Sequence, residues 1–409
     1  MSTIAAKPLS TAMRDGLSFM GFVRQGGLVG VRNHLAVIST VALCNRIAEL
    51  AAQRYEDGNG ESILQIKGEF QRGLQLADAQ LQNQVIRQLI EHPNIGAALV
   101  LCHDRRSAQA LQKLFSGKAV EVLAVMDGEG VENTIELASL ALKRLSQQIL
   151  GQVRVPCPFS KLTFALECGG SDASSAVCSN PAVGQFVDVA IAHGARVIVS
   201  ETAEFIGGEE VIRAQSISPK ISQSIINCIA ITEARMAGDG DHYRGVNPTA
   251  ENIEAGLTTL IEKTMGAVCK IGNSNFEDCL SFGQSPTGPG LYFMDTPFFS
   301  PCSITGMVAA GAQITLFSMG VFNPSGNPLA PTLKICGNPQ TVKNWSDGID
   351  VNLSSLITGE MSLDEGGNQV LQAVVDTANG LVTKTEKWGE GQFIRDFPLG
   401  RMRSIRPFN

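Results

Sequence analysis

Two clusters of polar side chains each follow an apolar run of the sequence. Their residue types suit catalysis on a substrate that carries an acid group. Leu162 to Leu166 is apolar, and Glu167-Cys168-Gly169-Gly170-Ser171-Asp172 follows it. Ala195 to Val199 is a second apolar run, followed by Ser200-Glu201-Thr202-Ala203-Glu204. The segment after Asn180-Pro181 carries apolar residues at helical spacing, so the stretch indicates strand, helix, strand. Open α/β sheets bind ligands beyond the carboxyl ends of their strands, so we expect a site here.

The first cluster combines a thiol with a pair of glycines. Cys168 is predicted to be catalytic or a metal ligand, because thiolates bind iron; a packed thiol is the alternative. Gly169 and Gly170 leave backbone N–H groups that can hold an anion. Ser171 and Asp172 are predicted to contact the substrate, with turn formation and helix capping as the alternative.

The second cluster offers carboxylates. Glu201 and Glu204 follow the second strand, and carboxylate oxygens are hard ligands for a divalent metal. A solvated helix start is the competing interpretation of both residues.

Two lysines interrupt apolar sequence. Lys334 stands within Pro331-Thr332-Leu333-Lys334-Ile335-Cys336, where an unpaired charge would be costly to bury. Lys263 has a similar context. Each is predicted to be catalytic, clamping a substrate carboxylate or acting as a base. For Lys334 a structural ion pair with Asp295 or Asp350 is the alternative.

Two further positions are weaker candidates. Arg32 and Asn33 precede the first predicted strand and are expected to bind substrate, with capping of backbone groups as the alternative. Cys102 ends another strand, before His103-Asp104, and is a candidate metal ligand. A histidine at a strand end is more often structural.

Strands alternate with helices over the first 150 residues, which predicts a parallel, doubly wound sheet. We expect an α/β protein with two doubly wound units and a Gly- and Pro-rich α/β C-terminal portion. The predicted organisation is a loose leader (1–18), a first α/β domain (19–151), a linker (152–160) containing Pro156 and Pro158, and a second, catalytic α/β domain (161–409).

Composition excludes several classes of protein. The 409 residues are 44% hydrophobic and carry a net charge of −7, which argues against nucleic acid or an anionic membrane as the main partner. No apolar run approaches the roughly 18 residues of a membrane span, and no signal-peptide core is present. Ten cysteines without a Cys-x-x-Cys pair do not predict a disulfide scaffold or a zinc ribbon. We expect a cytoplasmic enzyme.

Several stretches, in order, resemble the altronate/galactarate dehydratase family from about Gly21 to Phe393. The resemblance rests on Gly30-Val31-Arg32-Asn33, His92-Pro93-Asn94, Glu167 to Asp172, Asn180 to Gly184, Ser200-Glu201-Thr202 with Glu204, Gly256 to Thr259, Glu262-Lys263, Met294 to Pro297, Thr305-Gly306, Ala309 to Ala312, Pro331 to Lys334 and Asp350.

The resemblance implies metal-dependent removal of water from a sugar acid, with Fe²⁺ the usual metal; Mn²⁺ and an iron–sulfur cluster stay open. It adds Asp295 and Thr305 to the predicted substrate-binding residues. The family also includes the large subunit of sulfolactate sulfo-lyase, so removal of sulfite from a 2-hydroxy acid is the alternative. A small partner subunit or separate N-terminal-type domain is expected, as is a homo-oligomer.

The sequence departs from the family pattern at two places. Ile66-Lys67-Gly68-Glu69 stands where many relatives have His-x-x-Gly-Cys, and Leu101-Cys102-His103-Asp104 stands where relatives have Gly-Cys-Glu. These losses support a third interpretation, an inactive scaffold or regulatory relative.

Dehydration of a 2,3-dihydroxy acid defines what the site must do. A base removes the proton beside the carboxylate, a cation or metal stabilises the resulting enolate, and an acid or metal assists the leaving hydroxyl. We therefore predict a carbon–oxygen lyase, a hydro-lyase, built around Cys168 and Glu201.

Overall fold

The computed structural model describes residues 16–60, 62–115, 119–237, 247–391 and 393. Most of residues 1–18, the predicted leader, lie outside them. The strands are β1 (Ser18–Val23), β2 (Val29–Gly30), β3 (His34–Ser39), β4 (Leu64–Ile66), β5 (Ile95–Cys102), β6 (Val120–Ala124), β7 (Val155–Pro158), β8 (Thr163–Cys168), β9 (Arg196–Val199), β10 (Phe276–Leu280), β11 (Gly290–Met294), β12 (Ile314–Met319), β13 (Thr332–Cys336) and β14 (Val351–Asn352).

Helices alternate with these strands through most of the chain, which confirms the α/β class. The helices are α1 (Asn45–Asn59), α2 (Leu76–Glu91), α3 (Arg105–Leu114), α4 (Val131–Ile149), α5 (Asn180–Ala192), α6 (Glu209–Ala214), α7 (Pro219–Ala237), α8 (Ala250–Glu254), α9 (Leu260–Val268), α10 (Ser300–Ala309), α11 (Pro339–Asn344), α12 (Ser355–Thr358), α13 (Leu363–Ala378) and α14 (Lys384–Trp388).

The first unit is a four-stranded parallel sheet in the order β4-β3-β5-β6. Its strands are apolar on both faces: Leu35 and Val37 pack with α1 and α4, whereas Ala36 and Ile38 pack with α2. Successive side chains of a strand point to opposite faces, so a continuous apolar run requires a helix layer on each side. This arrangement explains why the sequence pattern of this unit predicts its strands well.

The second unit is a seven-stranded parallel sheet in the order β10-β11-β9-β8-β12-β13-β14. On β8, Phe164 and Leu166 pack with α5 and α13. Ala165, between them, faces a second core that also contains Val85 and Leu89 of the first unit. The two units therefore share a hydrophobic core instead of packing as independent bodies.

The junction between the units differs from the sequence prediction. The predicted linker contains β7, which pairs with β1 in a small antiparallel sheet. Ser18, assigned to the leader, is the first residue of β1. Phe19 and Val29 then pack into the core of the second unit although they precede the first. The N-terminal strand thus belongs structurally with the second sheet.

The length and polarity of the helices test whether the chain could cross a membrane. Within the described residues, every helix is too short or too polar to cross a bilayer.

Candidate active site

A cavity of about 380 Å³ opens at the carboxyl edge of the second sheet. Four neighbouring strands, β11, β9, β8 and β12, contribute the segments that follow them. Residues from α8 and α9 form the opposite wall. The lining consists of Cys168, Gly169, Gly170, Glu201, Thr249, Glu251, Asn252, Lys263, Phe298, Phe299, Ser300, Val321, Phe322, Asn323, Pro324 and Ser325.

The position of the cavity follows from the strand order. The chain leaves β8 toward β9 on one side, whereas it leaves β12 toward β13 on the other. Segments that diverge in this way leave a crevice between them, and α/β sheets bind ligands at such switch points. Cys168 and Glu201, predicted from two neighbouring strand ends, both line this one cavity.

Gly170 lets the two diverging segments approach each other. Its φ is +63°, and its carbonyl accepts hydrogen bonds from the N–H groups of Gly320 (3.1 Å) and Val321 (2.7 Å). A Cβ atom at this position would lie 2.2 Å from the carbonyl oxygen of Val321. Gly169 donates its N–H to the carbonyl of Ser318 (3.1 Å), so the prediction that both glycine N–H groups are free is wrong for Gly169.

Cys168 is a buried thiol at the cavity wall. Its Sγ lies 3.3 Å from the hydroxyl of Ser171 and accepts from the amide of Asn180 (3.5 Å). Burial, and next the charge of Glu204, raise the pKa of Cys168 to about 11. The raised pKa makes Cys168 a weaker nucleophile than a free thiolate.

Glu201 is the buried carboxyl group at the cavity, which Glu251 of α8 also lines. Glu201 is 3% exposed, has a positive φ of 60°, and donates its N–H to the hydroxyl of Thr296 (2.8 Å). Ser300 donates to its Oε1 at 3.3 Å. Burial, then the charges of Glu167 and Glu204, raise the pKa of Glu201 well above its usual value. The expected alternative, a solvated helix start, is wrong for this residue.

Glu167 is a second buried carboxyl group whose charge acts on Glu201. Ser303 donates to the Oε2 of Glu167 at 2.7 Å. Burial and the charge of Glu204 raise the pKa of Glu167 to about 7, while Lys270 opposes this increase.

Glu204 makes a buried ion pair with Lys270 behind the cavity. Glu204 is fully buried and Lys270 is 1% exposed, so the solvated alternative is wrong for Glu204 as well. Burial disfavours the charge of Lys270, but the carboxylate of Glu204, with Cys168 and Glu167, raises its pKa overall. The pair compensates each charge in the interior.

Lys263 brings a positive charge to the cavity. It lies in the first turns of α9, is 5% exposed, and holds its Nζ 4.4 Å from the centroid of the Phe298 ring. Among the described residues, no carboxylate oxygen lies within 4 Å of this Nζ. Its charge lowers the pKa of Glu201 against the effect of burial. The ammonium is therefore available to an anionic ligand.

Comparison with known proteins decides which family this site belongs to. Residues 159–396 match the model described as D-galactarate/Altronate dehydratase, C-terminal, and residues 21–150 match D-galactarate dehydratase/Altronate hydrolase, second domain. The chain belongs to the D-galactarate/altronate dehydratase family. The resemblance inferred from its motifs is thereby confirmed.

Relatives of the family carry two kinds of name. The chain is 30% identical to the (2R)-sulfolactate sulfo-lyase subunit beta of Chromohalobacter salexigens, over 93% of this chain and 97% of that protein. It is 29% identical to the altronate dehydratase of Escherichia coli K12, over 89% of this chain and 74% of that protein. It is 25% identical to the galactarate dehydratase (L-threo-forming) of the same organism, over 92% and 75%.

The metal that the family resemblance implied does not fit the described side chains. Within the described ranges, no three His, Cys, Asp or Glu residues are grouped so that they could hold an ion. Of the predicted ligands, Glu204 is bonded to Lys270, and Cys168 contacts Ser171 and Asn180. We derive no step through a metal from this site.

Cys102, the fourth predicted ligand, lies in the first unit, apart from the cavity of Cys168. It is fully buried. His103 and Asp104, which follow it, line a separate cavity of about 550 Å³ together with Arg72. Burial raises the pKa of Cys102. At this strand end, where the sequence differs from the family pattern, the chain has a buried thiol and an ion pair of 2.6 Å between Arg72 and Asp104.

Lys334 does not line the cavity, but it holds a segment that does. Its Nζ donates to the carbonyl oxygens of Asn323 (2.5 Å) and Ser325, both on the segment after β12. Burial lowers the pKa of Lys334 to about 7. The expected ion pair with Asp350 is wrong in detail, because that carboxylate accepts from the backbone N–H of Lys334 (2.8 Å).

Arg32 and Asn33 have structural partners away from the cavity. Arg32 forms a two-point ion pair with Glu386 (2.7 and 2.8 Å) and donates to three backbone carbonyl groups. Asn33 accepts from Arg24 at 2.8 Å. The structure thus favours the structural alternative for both residues.

Of the remaining predicted substrate residues, none lines the cavity. Asp172 accepts from Ser174 (2.6 Å) and Asn338 (2.7 Å), and Ser171 contacts Cys168. Asp295 accepts from Thr202 at 2.6 Å. Thr305 is buried in α10 and donates to the carbonyl of Pro301 (2.8 Å).

Sequence reasoning missed the roles of Glu167 and Lys270. In the sequence, Glu167 stands out only as the first residue of its motif. Lys270 interrupts the apolar stretch Val268-Cys269-Lys270-Ile271, which is the same signal that pointed to Lys334.

Proposed function

We propose that this chain is a carbon–oxygen lyase that dehydrates a sugar acid of the altronate or galactarate type to a 2-keto-3-deoxy acid. The proposal rests on one observation: two complementary groups line the same cavity. They are the carboxyl group of Glu201, whose pKa is raised, and the ammonium group of Lys263. Membership of the dehydratase family supports the same reaction class.

The substrate carboxylate binds Lys263 in this proposal. The ammonium neutralises the carboxylate and stabilises the negative charge that develops when the C2 proton leaves. The N–H of Gly170, which has no acceptor among the described residues, is a second donor in the lining of the cavity. Val321 and Phe322 add apolar surface to the lining of the cavity.

Glu201 moves the proton. As a carboxylate with a raised pKa it is a stronger base than an exposed glutamate, and it takes the C2 proton. The protonated carboxyl then gives that proton to the C3 hydroxyl, which leaves as water. The remaining enol rearranges to the 2-keto-3-deoxy acid, so no external oxidant or reductant is required. Glu167 keeps the Glu201 pKa raised through its charge.

A sulfo-lyase is the second candidate, because the match to the sulfo-lyase subunit covers 97% of that protein, against 74% of the altronate dehydratase from E. coli. Sulfite would leave from C3 in place of hydroxide after the same proton removal. We rank it second because sulfolactate carries two anionic groups, whereas Lys263 is the lone cation among the described lining residues. The same reasoning favours a sugar acid with one carboxylate over one with two.

A substrate panel tests the proposal. The purified chain is incubated anaerobically, with and without ferrous iron, with an aldonate, an aldarate and sulfolactate, and both 2-keto acid and sulfite are measured. Keto acid from a sugar acid without sulfite supports the hydro-lyase, and sulfite from sulfolactate replaces it with the second candidate. No turnover of any substrate, with no binding of any acid, would make the chain a scaffold.

We also propose a partner subunit, on the strength of the words "subunit beta" in the name of one relative. Copurification from cells producing the tagged chain, followed by mass measurement of the assembly, tests for that partner and for a homo-oligomer. A monodisperse monomer that turns over a substrate at full rate would overturn both expectations.

A further inference from the structure

Two cysteines outside the cavity face each other closely. The Sγ atoms of Cys228, in the middle of α7, and Cys279, on β10, are 3.9 Å apart. Both thiols are free and partly exposed. Because β10 is an edge strand of the seven-stranded sheet, the pair lies where a small solute can approach.

We propose that Cys228 and Cys279 are a site of reversible disulfide formation whose substrate is an oxidised low-molecular-weight disulfide such as glutathione disulfide. A protein disulfide requires a sulfur–sulfur distance of about 2.05 Å, so the two atoms need to close by roughly 2 Å through side-chain rotation. The packing of α7 on β10 already brings the two side chains together. This proposal does not depend on the lyase assignment.

The chemistry balances in two exchange steps. The thiolate of Cys228 attacks glutathione disulfide, which forms a mixed disulfide and releases one glutathione thiolate. The thiolate of Cys279 then attacks the Cys228 sulfur, forms the protein disulfide and releases the second glutathione. Two electrons pass from the protein thiols to glutathione disulfide, and the two thiol protons pass to solvent or to the released thiolates.

Local electrostatics select the order of the two steps. Either sulfur can donate in this contact; when Cys279 donates, the bond lowers the pKa of Cys228 against burial and favours Cys228 as the first nucleophile. The corresponding bond, followed by burial, raises the pKa of Cys279. Once Cys228 is in a mixed disulfide this largest cause is gone, which frees Cys279 for the second step. Asp295, which acts on both thiols, is a predicted substrate residue that the structure places here.

The cross-link would enclose part of the candidate active site. Cys228 and Cys279 are 51 positions apart, and the enclosed segment carries Thr249, Asn252 and Lys263 of the cavity wall. A disulfide restrains the chain that it closes. Oxidation would thus raise the stability of the folded protein, because the cross-link restricts the unfolded chain.

Peptide mapping under non-reducing conditions tests the site. The full chain is equilibrated with glutathione disulfide, free thiols are blocked, and the digest is searched for a Cys228–Cys279 link that reduction removes. The Cys269→Ser variant, which lacks an exposed cysteine, is the matched control and keeps the link. Cys228→Ser and Cys279→Ser lose it and retain at most a single glutathione adduct.

Two results would overturn the inference. One is a wild-type digest in which Cys228 carries glutathione that Cys279 never displaces, or in which neither cysteine reacts. The other is a Cys228–Cys279 link that reduction does not remove, because the disulfide would then not be reversible. The expected result is a midpoint raised in the wild type and in Cys269→Ser, and unchanged in Cys228→Ser.

Discussion

At Glu201, burial and the charges of Glu167 and Glu204 raise the pKa, against the opposing charges of two lysines. The backbone of Glu201 adopts a positive φ, which a side chain other than glycine adopts at a cost. Thr296 holds the strained peptide through the N–H of Glu201 (2.8 Å). The strain and the buried charge are both unfavourable for folding, and both place one carboxyl group in the cavity.

Glu201→Gln should remove turnover without unfolding the protein. The amide keeps the shape and the contact with Ser300 but cannot carry a proton, so kcat should fall by about 100- to 10,000-fold with a small change in KM. Steady-state kinetics on the substrate found in the panel measure this. Glu210→Gln, at a side chain that is 90% exposed, is the control. An unchanged kcat would remove Glu201 from the mechanism.

Lys263→Met should weaken substrate binding and also lower kcat, because the ammonium both binds the carboxylate and stabilises the charge that develops on it. The methionine preserves packing against Phe298 but removes the cation, so KM should rise by about tenfold or more, as expected for a lost charge-assisted contact. Titration of the substrate against the variant checks this. The exposed Lys343→Met serves as control. Equal affinity in both variants would assign the carboxylate to another group.

Glu167 should make stability depend on pH. Its folded pKa of about 7 lies above the ordinary value of 4.5, so the folded state binds more protons in this window and stability falls as pH rises through it. Each tenfold change in proton affinity is worth roughly 1.4 kcal/mol, which makes the total a few kcal/mol. Urea unfolding of Glu167→Gln from pH 5 to 8 should give a shallower decline than wild type. Identical slopes would mean that Glu167 titrates normally.

At the scale of elements, the segment after β12 depends on a lysine beneath it. Lys334 holds the carbonyls of Asn323 and Ser325, and its Nζ lies 4.1 Å from the centroid of the Phe317 ring. Phe317 in turn packs under Gly169, where an added Cβ would come within 2.6 Å of the ring. The two strand ends that form the switch point are thus fixed from the same side.

Lys334→Met should therefore loosen one wall of the cavity. Two carbonyl groups would lose their donor, at about 1–3 kcal/mol for each that stays buried. We expect faster proteolysis within residues 321–325 and a higher KM with a smaller change in kcat. If kcat collapses while proteolysis and KM stay at the wild-type level, Lys334 is a catalytic base and not a support.

The elements differ in how well the sequence predicts them. The apolar runs of β3, β5, β8 and β12 are evident because strands buried on both faces need apolar residues at every position. The β7 segment resembles a linker because two of its four residues are proline, which sheets tolerate mainly in edge strands. The Cys168–Glu201 juxtaposition is predictable because neighbouring parallel strands end at one edge. The Glu204–Lys270 pair is not, since its partners come together only in the fold.

At the scale of the whole molecule, Asn94 connects the two units. It is fully buried in the first unit, yet its amide donates to the carbonyls of Gln313 (3.1 Å) and Leu329 (2.9 Å) of the second. Its Oδ1 accepts from the N–H of Val31 at 2.9 Å. His92, two positions earlier, lies 3.1 Å from the carbonyl of Ala312. This contact explains what the family-like stretch His92-Pro93-Asn94 does.

Asn94→Ala should separate the unfolding of the two units. The shared core and the Asn94 bonds make the wild type unfold as one cooperative body. The variant leaves two carbonyl groups and one N–H group buried without partners, which costs about 1–3 kcal/mol of stability for each group. All three groups lie at the contact between the two units, so the variant weakens that contact. Calorimetry should then show a lower first transition and a resolved second one, whereas the exposed Asn344→Ala keeps the single wild-type transition. If Asn94→Ala also unfolds in one step at the wild-type midpoint, the hydrophobic core alone joins the units, and the contacts of Asn94 contribute nothing to their cooperation.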